Sequence, residues 1–239
     1  MSLNYVIMGS DENPMYLDFW PIVSKIWKEK FNTIPVLGLI CEEDSDLFSD
    51  DFGLIKKFKK IKGVHVGLQT QIVRLFLPKF LNGNCLISDI DMLPLSLDYF
   101  KSNFEKLNGN NILVYSSDNP ECLKEKMFPM CYISSHSSIF SKIFNLDSDW
   151  ADFVINLNNR GNGWYTDQKF IYEKILEHNK NNECVFLNRG WNGPADKRID
   201  RVNWFYDPIK VKEGHYIDSH LLRPYSLYKN EIDELVNLL

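Results

Sequence analysis

The chain has 239 residues, of which 44% are hydrophobic and 25% are charged, and these fractions are those of an ordinary folded protein rather than a disordered or fibrous one. It carries 27 basic and 32 acidic residues, giving a formal net charge of -5, whereas nucleic-acid-binding proteins normally show a basic excess or a concentrated basic face. The composition therefore argues against a nucleic-acid partner. The length predicts a single domain over residues 1–239, with a core large enough to need no disulfide or structural metal.

The five cysteines lie far apart and form no CxxC pair, which predicts neither a disulfide framework nor a zinc site and fits a reducing compartment. The chain does not start with a charged segment followed by a long apolar one, and no stretch reaches about 18 uninterrupted apolar residues. We therefore expect a cytoplasmic protein with no signal peptide and no transmembrane helix.

The first part of the chain alternates strand-like and helix-like segments. Residues 5–8 predict a buried strand that runs into a polar turn at 9–14, and the apolar spacing over 16–27 predicts a helix. Apolar runs at 36–40 and, more weakly, at 64–66 predict two further strands.

Lysine is concentrated between residues 56 and 62, where five lysines flank Ile55, Phe58 and Ile61. One interpretation is a basic amphipathic turn that touches an anionic membrane or acceptor. The other is a solvated face at the edge of the domain, which the shortness of the run favours.

The middle of the chain contains the segment most suggestive of function. Residues 68–81 predict a helix that Pro78 interrupts near its end. The apolar segment 85–88 predicts a strand covered on both faces, and Asp89 and Asp91 follow it directly.

Further along, a strand is predicted at 112–115, mixed structure at 132–144 and an amphipathic helix at 166–177. The tail from residue 191 is aromatic and irregular up to a closing helix near residue 230. Strands that alternate with helices predict an α/β fold with a central, mostly parallel mixed sheet flanked by helices, and ligands of such sheets bind beyond the carboxyl ends of the strands.

The pattern Asp-x-Asp occurs at residues 44–46, 89–91 and 147–149. The third is in a Ser/Asp-rich turn typical of a helix cap, and the first is in a flexible acidic run. The second is framed by apolar residues, where two carboxylates repel each other and lose hydration unless a positive charge neutralises them. A hard divalent ion such as Mn²⁺ or Mg²⁺, held by oxygen ligands, meets this need. The alternative is that one of these aspartates only caps a neighbouring turn.

Residues 71–81 read Q-I-V-R-L-F-L-P-K-F-L, and residues 85–91 read C-L-I-S-D-I-D. Together they resemble the A-R-L-x-x-P-x-L-L and K-V-L-Y-L-D-x-D block of GT-A glycosyltransferases of the glycogenin and bacterial galactosyltransferase type. The resemblance implies a Rossmann-like GT-A domain. It also implies a metal-dependent enzyme that moves a sugar from a nucleotide-diphosphate sugar, in the first place a UDP-sugar, to a hydroxyl group of a glycan, protein or lipid-linked acceptor.

In that family the two carboxylates coordinate Mn²⁺ bound to the diphosphate of the donor. The resemblance therefore implies that Asp89 and Asp91 are metal ligands, with Ile90 between them at the nucleotide sugar. The segment His220-Leu-Leu-Arg223-Pro-Tyr is similar to the family's His-x-x-Gly-x-x-Lys-Pro-Trp segment. By this resemblance His220 is the third metal ligand and Arg223 contacts the diphosphate, with His215 as an alternative to His220.

The nucleoside and sugar ends of the donor are placed by the same resemblance. Arg74 lies on the helix where the family keeps an arginine near the nucleotide. The family holds the nucleoside at the positions that follow the first strand, which here are Met8, Gly9, Ser10 and Asp11.

Residues 161–168 resemble the family's D-Q-D region, which lines the cleft beside the reacting sugar carbon. Asp167 is therefore predicted as the catalytic base or Gln168 as the stabiliser of the sugar cation, and the alternative is that Thr166 or Asp167 caps the helix. The neighbouring Trp164 and Tyr165 are predicted to stack on a sugar.

Three other functions compete with glycosyl transfer. A sugar-nucleotide pyrophosphorylase would need a Gly-rich phosphate loop after the first strand, and Gly9 alone does not make one. A haloacid-dehalogenase-like, Mg²⁺-dependent phosphohydrolase also has Asp-x-Asp after a buried strand, but its motif continues with Thr or Val where this chain has Leu93. A non-catalytic carbohydrate-binding protein would account for the 14% of aromatic residues but not for the framed carboxylates.

Overall fold

A computed structural model describes residues 2–181, 183–190 and 197–239. In chain order, the strands are β1 (Tyr5–Asp11), β2 (Ile34–Cys41), β3 (Phe48–Ser49), β4 (Leu54–Lys59), β5 (Asn84–Ile87), β6 (Met92–Pro94), β7 (Ile112–Val114), β8 (Ile133–His136), β9 (Cys184–Phe186), β10 (Arg198–Ile199) and β11 (Asp218–His220). The α-helices are α1 (Pro14–Leu17), α2 (Trp20–Phe31), α3 (Val66–Phe76), α4 (Leu97–Phe104), α5 (Pro120–Lys124), α6 (Ser137–Phe144), α7 (Trp150–Asn158), α8 (Thr166–His178), α9 (Pro208–Lys212) and α10 (Lys229–Val236).

Eight strands form the main sheet in the order β3-β4-β2-β1-β5-β8-β7-β9. Four of its seven pairings are parallel, including those that join β4, β2, β1 and β5. This confirms the predicted mixed, mostly parallel sheet with helices around it. Chain order reverses at β1, because β2 and β4 lie on one side of it and β5 lies on the other. Ligands of open α/β sheets bind at such a reversal, beyond the carboxyl ends of the strands.

The main sheet separates two hydrophobic cores. Along β1, Val6 and Met8 enter the core that contains α2, whereas Ile7 enters the core that contains α3. This alternation follows from the two-residue period of a strand. Because both faces are covered, the parallel strands read as continuous apolar runs, which is why the sequence indicated most of them correctly.

Two facing glycines let α3 lie close to the main sheet. Gly9 on β1 and Gly38 on β2 are register partners. A Cβ atom at Gly9 would lie 2.3 Å from the Thr70 carbonyl oxygen, and one at Gly38 would lie 2.6 Å from Cγ2 of Val73. These positions therefore need glycine because the helix lies directly over the strand backbones.

A second, three-stranded sheet has the order β10-β11-β6. Asp218 on β11 stabilises this sheet through hydrogen bonds. Its buried carboxylate accepts from Arg189 at 2.8 Å and from Arg198 on β10 at 2.8 and 2.9 Å. The prediction of irregular structure up to residue 230 was therefore wrong for 198–199, 208–212 and 218–220. These elements are too short to show a period, and the predicted irregular residues 191–196 lie outside the described part of the chain.

The first part of the lysine-rich run, residues 56–59, belongs to the strand β4. The predicted strand at 64–66 is instead the turn before α3 together with the first residue of that helix. Lys57 lies 3.2 Å from Glu43, and Lys60 lies 3.2 Å from Glu42. These two lysines thus pair with the acidic loop beside β4. The strand β4 lies next to the two-residue β3, which forms the edge of the main sheet. Lysine is common on such outer strands, and this placement agrees with the solvated-face interpretation.

Other predicted boundaries shift for identifiable reasons. The predicted helix 68–81 is α3 followed by a 3₁₀ turn that contains Pro78. β1 extends to Asp11 instead of ending at residue 8, because its pairing with β2 continues to the partners Asp11 and Ile40. Within the described residues, the structure contains no helix long and apolar enough to span a bilayer.

The close approach of α3 makes a specific prediction about Gly38. Replacement by alanine should destabilise the fold by about 1–3 kcal/mol, because the added methyl group overpacks the space beneath Val73. Urea unfolding of Gly38→Ala measures this loss.

The double variant Gly38→Ala/Val73→Ala is the control, since it restores the space that the methyl group occupies. We expect its loss of stability to be smaller than the sum of the two single losses. Strict additivity of the two changes would contradict the steric explanation.

Candidate functional site

A cavity of about 510 Å³ opens at the carboxyl ends of β1 and β5, beside the reversal of strand order. Its size lies within the range of small-molecule sites in proteins. Most of the residues predicted from the sequence line it, namely Gly9, Ser10, Asp11, Arg74, Asp89, Ile90, Asp91, Trp164, Asp167, Gln168, His220 and Arg223.

Three candidates do not line the cavity. Met8 is fully buried in the core on the α2 side of the sheet, because its side chain points to the face opposite α3. Tyr165 is exposed beside the cavity without lining it. His215 is exposed and stacks edge-on against Tyr216, so it does not compete with His220.

Arg74 connects three elements of the cavity wall. It is buried on α3, and its Nη1 donates to the Asp89 carboxylate and, at 3.3 Å, to the Ser88 carbonyl. Its Nη2 donates to Oδ2 of Asp167 at 3.2 Å. One guanidinium group therefore binds the end of β5 and the first turn of α8, and the predicted direct contact of Arg74 with the nucleotide stays a prediction.

The two carboxylates that share Arg74 differ in their acidity. Burial acts against ionisation at Asp89, but Arg74 and His220 hold its pKa below the usual range. Burial raises the pKa of Asp167 to about 6, although Arg74 acts in the opposite direction. Asp167 does not cap α8, since its Oδ1 accepts from the neighbouring Gln168 N–H at 2.8 Å and the cap position is Tyr165.

The second sheet brings His220 to Asp91. His220 on β11 is the register partner of Met92 on β6, and the backbone N–H of Leu221 donates to the Asp91 carbonyl at 3.0 Å. The His220 Nε2 atom consequently lies 3.8 Å from Oδ2 of Asp91, while Nδ1 faces Oδ2 of Asp200 at 3.5 Å. Asp200 thereby favours the tautomer with the proton on Nδ1, which leaves the lone pair of Nε2 free for a cation beside Asp91.

Two arginines approach Asp91 as well. Arg201 donates from Nη2 to Oδ2 of Asp91 at 2.7 Å. The Nη1 atom of Arg223 lies 3.8 Å from the same oxygen and donates to the Tyr16 hydroxyl at 2.6 Å. The predicted diphosphate contact, Arg223, therefore lies at the cavity beside the carboxylate pair.

The donor types in this cavity suit a hard divalent cation. Asp89 and Asp91 offer carboxylate oxygens and His220 offers an imidazole nitrogen, a set that Mn²⁺ or Mg²⁺ accepts. Asp89 faces Arg74 and Asp91 faces Arg201. In the described ranges, no three His, Cys, Asp or Glu side chains are grouped as a metal site. The residues fit the cation by chemistry, but their carboxylates are at present engaged by guanidinium groups.

Trp164 is the main exposed aromatic side chain of the cavity wall. More than half of it is accessible, at 57%, and its Cζ3 atom would lie 3.4 Å from a Cβ atom at Gly67. The ring therefore lies beside the first turn of α3 and presents a flat apolar face, as sugar-stacking residues do.

Sequence reasoning missed Asp200 and Arg201, which contact His220 and Asp91. Both follow β10, whose parallel pairing with β11 places them beside His220. A two-residue strand gives no hydrophobic period, so the charges themselves were the only signal. Tyr16, at the start of the chain, was likewise missed because aromatic residues there also fill the core.

No protein-family model and no curated protein sequence matches this chain. Among solved structures it is similar to the galactosyltransferase LgtC in complex with donor and acceptor sugar analogs, at 14% identity and a TM-score of 0.52, over 98% of this chain and 96% of that one. It is also similar to the apo form of the bifunctional glycosyltransferase WbbM, at 12% identity and a TM-score of 0.53, over 98% of this chain and 49% of that one. The likeness is one of fold, and the chain has the GT-A fold of glycosyltransferases.

The acidity of Asp167 predicts how stability depends on pH. Because its pKa rises from the usual 3.8 to about 6 on folding, the folded chain binds this proton more tightly than the unfolded chain. The resulting stabilisation, roughly 3 kcal/mol at most, is complete below pH about 4 and is lost as the pH rises through about 6. Urea unfolding of the wild type and Asp167→Asn between these pH values measures it.

We expect the asparagine variant to lose this downward slope of stability with pH, since it has no proton to bind. Asp147→Asn, a change at an exposed aspartate, should keep the wild-type slope. Equal slopes for the wild type and Asp167→Asn would show that folding does not raise the pKa of Asp167.

Proposed function

We propose that this chain is a metal-dependent glycosyltransferase that moves a sugar from a nucleoside-diphosphate sugar, most simply a UDP-sugar, to a hydroxyl group of a glycan, protein or lipid-linked acceptor. One observation carries the proposal: Asp89, Asp91 and His220 meet in one cavity at the strand-order reversal of the main sheet. The fold supports it, because ligands of open α/β sheets bind beyond the carboxyl ends of the strands, where this cavity opens.

The charges of the cavity favour a divalent cation as part of the donor complex. Asp89, Asp91, Asp167 and Asp200 carry four negative charges when ionised, and Arg74, Arg201 and Arg223 carry three positive ones. A diphosphate adds at least two negative charges to this partly buried place, where repulsion is poorly screened. A cation that shares ligands with the diphosphate removes most of this excess.

Asp89, Asp91 and His220 are the proposed holders of the cation. When bound, the cation supplies Lewis-acid stabilisation of the charge that develops on the departing diphosphate. The cavity also offers Arg223 as a fixed positive charge for the same phosphate oxygens. Asp200 orients His220, and Arg74 keeps Asp89 ionised, so both residues prepare the proposed ligands for the cation.

The end of β1 is the proposed nucleoside site. Asp11 and Asn13 line the cavity with polar groups, and the Tyr16 ring lies in the same wall. Polar edges together with a flat ring suit a nucleobase and its ribose. Met8 is not part of this proposal, because its side chain is buried in the core.

Gln168 is the proposed partner of the transferring sugar. Asp167, the other candidate, has its carboxylate bound to Arg74 and is only 1% exposed. A general base must reach the hydroxyl proton that it removes, so Asp167 in this position acts mainly as the anchor of Arg74. Gln168 lines the cavity, and its side-chain amide has an oxygen that can stabilise a sugar cation.

A nucleotide-release assay tests the proposed function. UDP release from a panel of UDP-sugars, with and without Mn²⁺, should be metal-dependent in the wild type. It should fall by about 100-fold or more in Asp91→Ala, because the charge on the leaving group loses its support. Asp147→Ala changes another Asp-x-Asp aspartate, which is exposed and outside the cavity, and should retain activity.

Donor-independent cleavage of phosphate esters would instead establish the phosphohydrolase alternative. Binding of sugars without turnover of any nucleotide sugar would establish the carbohydrate-binding alternative. Either result would overturn the proposed transfer reaction.

Trp164 is predicted to bind a sugar ring by stacking. Trp164→Ala should raise the KM for the acceptor by about 3- to 10-fold, the value of one aromatic contact, with little change in melting temperature because the side chain is largely exposed. Initial rates at varied acceptor concentration measure the effect. Trp164→Phe should retain most of the affinity, and an unchanged KM in Trp164→Ala would remove Trp164 from the acceptor site.

A further inference from the structure

Arg201 binds Asp91 through only part of its guanidinium group. Its Nη2 donates to Asp91 Oδ2 at 2.7 Å. Its Nε and Nη1 atoms are buried and have no hydrogen-bond partner in the part of the chain that the structure describes. A buried donor without an acceptor is unfavourable. Two of the three nitrogen atoms of the Arg201 guanidinium group therefore lack acceptors in this position. A ligand that offered acceptors would stabilise another position of the side chain.

The oxygen that Arg201 occupies is the one that faces the other groups of the proposed cation site. Oδ2 of Asp91 lies 3.8 Å from His220 Nε2 and 3.8 Å from Arg223 Nη1. A divalent cation held between Asp91 and His220 must therefore share this oxygen with Arg201 or displace Arg201 from it. Positive charges that meet at one buried carboxylate repel each other strongly, because the surroundings screen them poorly.

We propose that Arg201 is the internal counter-ion of Asp91 and competes with the divalent cation for this carboxylate. This inference rests on the proposed function, in which Asp91 is a cation ligand. The cation alone binds weakly, because it has to displace Arg201. A diphosphate that arrives with the cation lowers the repulsion and offers acceptors to the unpartnered N–H groups, so the cation and the diphosphate bind cooperatively.

Titration of Mn²⁺, followed by its electron paramagnetic resonance signal, tests this competition with and without UDP. In the wild type, saturating UDP should raise the Mn²⁺ affinity by about tenfold or more, and Mn²⁺ should raise the UDP affinity by the same factor. In Arg201→Gln we expect Mn²⁺ alone to bind about tenfold more tightly than in the wild type, and the cooperativity with UDP to shrink accordingly.

Two control variants isolate the charge of Arg201. Arg201→Lys keeps the positive charge and should bind Mn²⁺ alone as weakly as the wild type. Arg160→Gln removes an arginine paired with Glu173 outside the cavity, and should leave both affinities unchanged. Melting temperatures identify any variant that does not fold.

The outcomes separate this inference from the proposed function. If Asp91→Asn abolishes Mn²⁺ uptake in the presence of UDP but Arg201→Gln binds Mn²⁺ no more tightly than the wild type, Arg201 is not a competitor and only this inference fails. If the wild type takes up no Mn²⁺ with UDP, or takes it up equally in Asp91→Asn, the cation site itself is wrong and both fail.

Discussion

The buried guanidinium group of Arg74 is the interaction on which the geometry of the cavity depends. It holds the Asp89 and Asp167 carboxylates together from opposite walls, and α3 delivers it there because Gly9 and Gly38 allow the helix to lie close to the sheet. Without the positive charge of Arg74, the two carboxylates would repel each other in a poorly hydrated space, which favours protonation of one of them. Arg74 thus removes the repulsion between the two carboxylates and fixes their positions in the cavity wall.

The cavity combines contributions from two sheets with different tasks. The main sheet supplies the end of β1 and the two aspartates after β5, at the strand-order reversal where ligands of such sheets bind. The small sheet supplies His220, Asp200 and Arg201, which adjust the charge and the hydrogen bonding of Asp91. The strand β6 follows the aspartates directly and joins the small sheet to the main one through the chain.

The sequence was informative wherever burial imposed a pattern. The apolar runs of β1, β2 and β5 and the helical spacing of α3 and α8 could be recognised because these elements are covered on one or both faces. The strand β4 was missed because its lysines obscure the pattern, and their pairing with acidic residues 42–46 is a tertiary effect. Asp89 and Asp91 could be found because the apolar residues around them are their neighbours in the sequence. The partners of these aspartates could not be found, because tertiary structure brings them there.

Asp200 and Arg201 show this limit most clearly. Their position depends on the pairing of β10 with β11 and of β11 with β6. The second pairing joins segments more than a hundred residues apart, and neither pairing leaves a local signal. Resemblance to GT-A enzymes helped at His220 and Arg223, since a short motif carried the information that periodicity lacks. It offered no help for Met8, whose orientation is decided by the alternation of β1.

The attachment of the small sheet has a consequence for how the protein opens. Its strands have two or three residues each, and a buried ion pair joins Asp218 on β11 to Arg189, which follows β9 of the main sheet. Short strands of this kind belong to the parts of a folded protein that open first, ahead of long central strands such as β1 and β2. In that partly open form the β1 end of the cavity would persist, but His220 would have moved away from Asp91, and the slowest amide hydrogen exchange would be confined to the eight-stranded sheet.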